Sequence, residues 1–377
     1  MKPIPFNKPP VLGKEMNYIA DAIARDHLSG NGHYTKKCSA FFTDTYKSAG
    51  SLLTTSGTDA LEMIALLLDI KAGDEVIMPS YNFVSAANAF FLRGATIIFA
   101  DSSSTHPNID ADQIGSLITS RTKAVLCVHY AGMACEMDRI EKLCREKGVF
   151  LVEDAAHAIS SRWNGERKLG TFGCASAFSF HETKNISCGE GGMLLINDQR
   201  FVERANVIQN KGTNRKEFEE GRVNYYEWVD IGSSFLPSEL NAAFLYSQLE
   251  QLDTVQRKRT ALWNTYHSEL GAFEKKNGIH RPQMDKWMEQ NGHIYYLVCD
   301  TPKQRDELIR HLAKNFIQAV FHYSALHKSR FFTKHHDGRK LPNADMYSER
   351  LIRLPLHYAL TPAEQERVLD VLHKFGN

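Results

Sequence analysis

Several short apolar runs in this chain end in polar residues able to bind or react. At the end of the first stand Thr54, Thr55, Ser56, Gly57 and Thr58, and after Glu75–Pro79 stand Ser80, Tyr81, Asn82 and Phe83. His129 and Tyr130 close another run, Asp154 and His157 follow the next, and Ser179 and Lys184 follow a later one. A helix opened by Ser-Gly-Thr offers a phosphate unpaired amide N–H groups and a favourable dipole. Gly57 permits close backbone approach, and the hydroxyls of Ser56 and Thr58 can donate. Alone, the same segment reads as an N-cap, and no GK[ST] follows it as in a P-loop. Gly189-Glu190-Gly191-Gly192 lacks that ending too and reads as a tight turn. Asp154 ends an apolar strand, where an unpaired carboxylate is costly to bury. A cationic partner offsets that cost, whether a structural ion pair or a protonated pyridine nitrogen. A lone lysine is ordinarily a solvated surface group. Lys184 is singled out by its company: phosphate cradle, aromatic residue, strand-end aspartate, serine and lysine, in that order.

These groups meet only if the runs that carry them are strands of one sheet, and the periodicities predict it. Helical spacing covers Gly13–His27 and Thr35–Tyr46. Strands are then expected at Ser51–Thr55, Glu75–Pro79, Thr96–Ala100, Lys123–His129 and Val149–Glu153. Helices are expected between them at Thr58–Leu68, Phe83–Leu92, Ile114–Ile118 and Asp138–Lys147. Cys174–Phe180 and Met193–Asn197 complete seven strands around a polar, Gly-rich loop. Such alternation implies an α/β fold, a mostly parallel sheet with helices on both faces, and ligands bind beyond the carboxyl ends of such strands. After Asn197 come helices at Phe201–Asn210, Ser238–Leu252 and Val255–Leu270. A βαβ-type unit is expected over Ile294–Tyr323, and a closing helix at Pro362–Phe375. The division falls near residue 250, giving a large domain over 1–250 and a smaller α/β domain over 251–377.

Composition narrows the partners. Lys and Arg total 45 against 44 Asp and Glu, so no net field recruits nucleic acid or an anionic membrane, and an anionic ligand must be captured locally. The first ten residues hold no apolar signal-peptide core, and no apolar run approaches a membrane span. The seven cysteines form no CxxC pair, which reads as free thiols in a reducing cytoplasm. His322, His327, His335, His336 and Asp337 lie close in sequence, yet their spacing fits no zinc pattern, so no metal is expected.

Five segments carry a family likeness: Thr55–Leu61 (TSGTDAL), Asp74–Ser85 (DEVIMPSYNFVS), Val152–His157 (VEDAAH), Phe178–Gly192 (FSFHETKNISCGEGG) and Leu354–Leu360 (LPLHYAL). Through them the chain resembles the fold-type I pyridoxal-5′-phosphate (PLP) enzymes, specifically the DegT family of sugar aminotransferases, over essentially its whole length. The resemblance implies that Lys184 is the Schiff-base lysine and proton shuttle, and that Asp154 keeps the pyridine nitrogen protonated so that the ring is an electron sink. It places Phe83 on the ring face and His157, where the family usually has Gln, near the ring hydroxyl. Gly57, Thr58 and Ser179 would bind the phosphate. Ser234 stands where the family carries an Asn that reaches the neighbouring subunit's phosphate, which implies a homodimer. Leu236 stands where the family carries an Arg, leaving Asn214 and Arg215 as substitutes for holding the amino donor. His322 and His327 match the substrate-side histidine segment. Phe180–Lys184, Lys211–Arg215 and Ile231–Ser234 resemble a subgroup that uses glutamate to aminate C4 of dTDP-linked 4-keto-6-deoxyglucose. Its product is a galacto-configured amine for cell-surface polysaccharide. Another nucleotide sugar is the alternative. Lys184 argues against a sibling class of sugar dehydratases that carries His there. Nothing singles out a reactive cysteine for a desulfurase, and the intact set of Lys184, Asp154 and Ser179 argues against a non-catalytic binding protein.

Overall fold

The structure, a computed structural model, describes residues 2–376. Two helices, α1 (Glu15–Ala24) and α2 (His33–Tyr46), lead into an alternation of β1 (Gly50–Thr54), α3 (Gly57–Leu67), β2 (Glu75–Pro79), α4 (Val84–Phe91) and β3 (Thr96–Ala100). It continues through α5 (Ala111–Leu117), β4 (Thr122–Val128), α6 (Met137–Lys147) and β5 (Phe150–Asp154). A small hairpin of β6 (Arg162–Trp163) and β7 (Arg167–Lys168), not foreseen from the pattern, precedes β8 (Ala175–Ser179) and β9 (Gly192–Ile196). The seven main strands form one sheet in the order β1-β9-β8-β5-β4-β2-β3. Only β9 runs antiparallel to its neighbours β1 and β8. This is the mostly parallel α/β sheet that the alternation predicts.

Strand periodicity explains the two-sided burial. Val76, Met78, Leu126, Val152 and Leu194 pack on one face of the sheet, while Ile77, Val125, Leu151, Met193 and Leu195 pack on the other. The second face is covered by α1, α2, α5, α6 and the later helix over Glu239–Leu249, through residues such as Phe42, Ile114, Ile140 and Leu245. The register brings the strand ends level. Thr54 and Ser179 both pair with Gly192, and Asp154 pairs with Ala177 on one side and Val128 on the other.

The rest of the chain supplies α7 (Val202–Gln209), α8 (Arg215–Glu219), α9 (Glu239–Leu249), α10 (Leu252–Glu269) and α11 (Gly271–Asn277). Then follow β10 (Tyr296–Val298), α12 (Pro302–Lys314), β11 (Val320–Phe321), α13 (Pro342–Arg350), β12 (Leu351–Arg353) and α14 (Pro362–His373). The expected βαβ unit is present as β10, α12 and β11, but its strands do not pair with each other. β12 lies between them, antiparallel to both. This small sheet shares an apolar cluster with the first face of the large one, in which Leu297, Leu308 and Ile352 join Tyr81, Tyr130 and Phe90. One continuous core therefore fixes the small sheet against the strand-end rim. No helix among the described residues is long and apolar enough to cross a membrane.

Candidate active site

A cavity of about 770 Å³ opens at the rim where β1, β5 and β8 end. At one end lies the start of α3. Ser56 caps it, its Oγ accepting the Asp59 N–H at 3.0 Å, which leaves the first amides of the helix without intrahelical partners. Thr58 Oγ1 donates to Ser85 Oγ at 2.8 Å, tying α3 to α4. Two glycines make the turn possible. A Cβ at Gly192 would come within 2.2 Å of the Ser56 carbonyl oxygen, and one at Gly57 within 2.9 Å of Ser179 Cβ. The cradle loop thus rests directly on the backbone of β9, with Ser179 facing it.

Asp154 and Lys184 define the middle of the cavity. Burial pushes the Asp154 carboxyl above its ordinary range, opposed by the Ala156 N–H at 3.0 Å and by the charges of Lys184 and His129. Burial also lowers the Lys184 ammonium from 10.5 to about 8; Asp154 pulls it back up and Arg353 adds to the fall. The loop carrying Lys184 is pinned where it leaves and re-enters the sheet. Phe180 N–H donates to Gly191 O at 2.8 Å, Glu182 N–H to Gly189 O at 2.9 Å, and Lys184 N–H to His181 O at 2.9 Å. The amine is thereby held on the rim by backbone hydrogen bonds rather than by a polar side chain.

Three histidines form a wall. His157 Nδ1 accepts the Ala131 N–H at 3.3 Å, so in the neutral ring the proton sits on Nε2, which is 3.4 Å from the Tyr323 hydroxyl. His293 lies against it, its ring tilted by 34° with the centroids 4.3 Å apart. Asn185 Nδ2 donates to Gln256 Oε1 and to Asn291 O, which fixes Asn185 Oδ1 as acceptor of the His293 Nδ1 proton at 2.7 Å. His322 Nδ1 lies 3.1 Å from the Tyr130 hydroxyl. Burial holds all three imidazoles well below their ordinary pKa, and Lys184 and Arg353 depress them further. The histidines are therefore neutral polar groups, with His157 a donor. Phe83 stands at the mouth, 52% exposed, its ring 5.8 Å from that of Tyr323.

The cavity thus gathers Gly57, Thr58, Phe83, Asp154, His157, Ser179, Lys184 and His322 from the expected set. Four expected residues lie outside it. His327 is buried and tied by Nδ1 to Ser80 Oγ at 2.7 Å and by Nε2 to Asp345 at 3.3 Å, so its ring braces β2 against α13. Asn214 begins α8, where its Oδ1 accepts the Glu227 N–H, and Arg215 pairs along that exposed helix with Glu219. Ser234 is exposed and bridges through its backbone to Asn210. The sequence reading missed Arg353, His293 and Tyr323, which also line the cavity. Arg353 had a visible signal, being the one charge inside the apolar run Leu351–Leu356.

The model of the DegT/DnrJ/EryC1/StrS aminotransferase family matches residues 11–373. GDP-perosamine synthase of Escherichia coli O157:H7 is 31% identical over 380 residues, covering 100% of this chain and 99% of that protein. The crystal structure of the aminotransferase TlmJ from Streptoalloteichus hindustanus superposes with a TM-score of 0.90 at 29% identity over 98% of each chain. A Streptococcus pneumoniae protein solved in its PLP form superposes with a TM-score of 0.89, also over 98% of each chain. At 23% identity that last likeness is one of fold.

Proposed function

The chain belongs to the DegT/DnrJ/EryC1/StrS aminotransferase family, whose aminotransferases use PLP, and from that premise we propose that it moves the amino group of L-glutamate onto a nucleotide-linked 4-keto-6-deoxy sugar. The observation that carries the reading is the meeting, in one cavity, of the half-buried Lys184, whose amine is lowered to about 8, with the buried carboxylate of Asp154, raised by its burial. Asp154 accepts only the Ala156 N–H, and among the described residues it forms no ion pair with Lys184, so both groups remain open to a ligand. A ring that bears an aldehyde para to a basic nitrogen would use both.

The residues present fit PLP. The open amides of α3, with Thr58 and Ser179, suit its phosphate; Asp154 suits its ring nitrogen; His157 Nε2–H suits its ring hydroxyl; and Phe83 offers an aromatic face. When bound, PLP supplies an electron sink for the bonds at the amino carbon. Lys184 would hold the cofactor through its amine and would carry the proton taken from the donor's amino carbon, a task suited to an amine with pKa near the working pH. Asp154 would hold a proton on the ring nitrogen, the charge of that nitrogen offsetting the burial of its carboxylate. The neutral histidines orient polar groups without adding positive charge that would drive Lys184 lower.

For the sugar, the likeness in Phe180–Lys184 (FHETK) and Lys211–Arg215 (KGTNR) supports dTDP-4-keto-6-deoxyglucose, aminated at C4 to the galacto product. The relative named GDP-perosamine synthase favours a second reading, a GDP-linked 4-keto sugar. Offering 3-keto and 4-keto dTDP sugars and a GDP-linked 4-keto sugar with glutamate, with products identified by mass spectrometry and NMR, decides between them. A C4 galacto amine on dTDP supports the first reading, a GDP product the second, and no amination of any of them removes both.

A further inference from the structure

His293 lies in the loop between α11 and β10, and its ring lines the cavity although only 7% of the residue is exposed. The hydrogen bonds behind the ring decide which nitrogen carries its proton. Gln256 Nε2 donates to Ile159 O and to Asn291 O, each at 3.3 Å, which leaves Gln256 Oε1 as an acceptor. Asn185 Nδ2 donates to that oxygen at 2.8 Å and to Asn291 O at 3.0 Å. The atom that Asn185 turns to His293 Nδ1, 2.7 Å away, is therefore its Oδ1, and it takes the Nδ1 proton. The loop itself is held too, because His293 N–H donates to Asn291 Oδ1 at 3.0 Å while Asn291 Nδ2 donates to His157 O and Ile159 O. Burial keeps the imidazole neutral, and His157, Lys184, Arg259 and Arg353 lower its pKa further. Nε2 is thus a bare lone pair, with no hydrogen-bond partner among the described residues. The adjacent ring of His157, 4.3 Å away, carries its hydrogen on Nε2. Side by side, the two rings offer the cavity a donor and an acceptor.

A buried acceptor is costly until a donor reaches it, and the two substrates differ in what they bring. Once the nitrogen of glutamate is committed to the cofactor, its remaining polar groups are carboxylates, which repel a lone pair. A sugar brings hydroxyls. In a 4-keto-6-deoxyhexose, the carbonyl carbon C4 is flanked by C5, which bears the ring oxygen and a methyl group, and by C3, which bears a hydroxyl. Lys184 acts at C4, and its charge is among those that reach the His293 ring, so the hydroxyl nearest to that ring is the one on C3. We propose that His293 is a specificity determinant for the sugar, its Nε2 accepting the hydrogen of the C3 hydroxyl. Asn185, the residue next to Lys184, is then a positioning residue that holds the acceptor tautomer. The proposal rests on the 4-keto sugar reading above and names the atom that reads the sugar beside its reacting carbon.

Two measurements on the PLP-loaded protein test it. Nitrogen NMR with isotope-labelled histidine reads the tautomer without turnover, the His293 signals being identified by their loss in His293→Gln. A pyridine-like Nε2 beside a pyrrole-like Nδ1 is expected, giving way to a mixture in Asn185→Leu; a pyrrole-like Nε2 in the wild type would overturn the proposal. The second measurement compares single-turnover amination of dTDP-4-keto-6-deoxyglucose, or of the GDP-linked 4-keto sugar if that is the one aminated, with amination of its 3-deoxy counterpart. Both sugars meet the same enzyme, so a structural loss or a lost cofactor contact cancels in the ratio of their rates. The wild type should favour the 3-hydroxy sugar about tenfold or more, the scale of one polar group left unpaired. His293→Phe should bring that preference to within about threefold of unity, since it removes the acceptor. His293→Gln, whose side-chain oxygen can still accept, should keep part of the preference, and Asn185→Leu should lose part. A preference as large in His293→Phe as in the wild type would overturn the proposal and leave the 4-keto sugar reading standing. So would a wild type that does not distinguish the two sugars. Amination of neither would remove that reading and this proposal with it.

Discussion

Apoprotein mixed with PLP should capture it covalently along a titration curve centred near pH 8, because only the neutral Lys184 amine attacks the aldehyde. Burial lowers that amine from 10.5 to about 8. At pH 7 about a tenth of it is then neutral, against roughly 0.03% for an unperturbed lysine, a ratio of roughly 300. The rate constant should rise tenfold per pH unit below the midpoint and level off above it. The neighbours set the direction of further shifts. Asp154 raises the Lys184 pKa and Arg353 lowers it, so Asp154→Asn should move the midpoint below that of wild type and Arg353→Gln should move it above. Stopped-flow absorbance over pH 6–10.5 measures all three curves. A wild-type rate that still climbs tenfold per unit between pH 9 and 10 would refute the reasoning, as would an upward shift in Asp154→Asn.

Asp154→Asn should also slow the glutamate half-reaction by about a hundredfold, the scale of losing one preorganised electrostatic partner. Its melting temperature should hold, since the amide can still accept the Ala156 N–H and sheds the burial cost of a charge; a half-reaction as fast as wild type would rule out the role of Asp154. Gly57→Ala puts a Cβ 2.9 Å from Ser179 Cβ and 3.2 Å from the Phe178 carbonyl oxygen. Overpacking of that kind costs about 1–3 kcal/mol, so the PLP dissociation constant, read by fluorescence, should rise roughly tenfold, and an unchanged constant would remove Gly57 from the cradle. Ser234 lies outside its own chain's cavity, on a segment that exposes Tyr225, Trp228 and Ile231 at 70%, 81% and 45%. Apolar exposure on that scale marks an interaction surface. Sedimentation should therefore show a homodimer, and a fully active monomer would contradict that.

Much of the large sheet was legible because its strands are apolar runs of five to seven residues, the first five of them alternating with helices, two of which open on the polar caps Ser56 and Asp110. Glu75–Pro79 and Thr96–Ala100 fall where alternation puts them, and the Ser56 cap follows from Ser-Gly-Thr before a helical face. The small sheet was harder, since β11 has two residues and β12 three, too few for a period to show. Arg353 went unnoticed for that reason: the strand that aims it has no signature beyond its apolar flanks. His322 and His327 looked alike in sequence. A 3₁₀ turn at Leu326–Lys328 sends His327 to Ser80, while His322 stays beside Tyr130 in the cavity. Spacing of five residues in irregular backbone carries no information about which way a side chain turns. His293 was equally hidden, because the groups that fix its ring, the Asn185 side chain from 108 positions away and the His157 ring, are brought to it by the fold.

The central claim is that the amine of Lys184 holds the cofactor in this cavity. Borohydride reduction of the PLP-loaded protein, followed by proteolysis and mass spectrometry of the phosphopyridoxyl peptide, tests it most directly. The expected result is one labelled peptide carrying the modification at Lys184, absent from Lys184→Ala, which still binds PLP without a covalent bond. A stoichiometric label on any other lysine, or an undiminished label in Lys184→Ala, would contradict it.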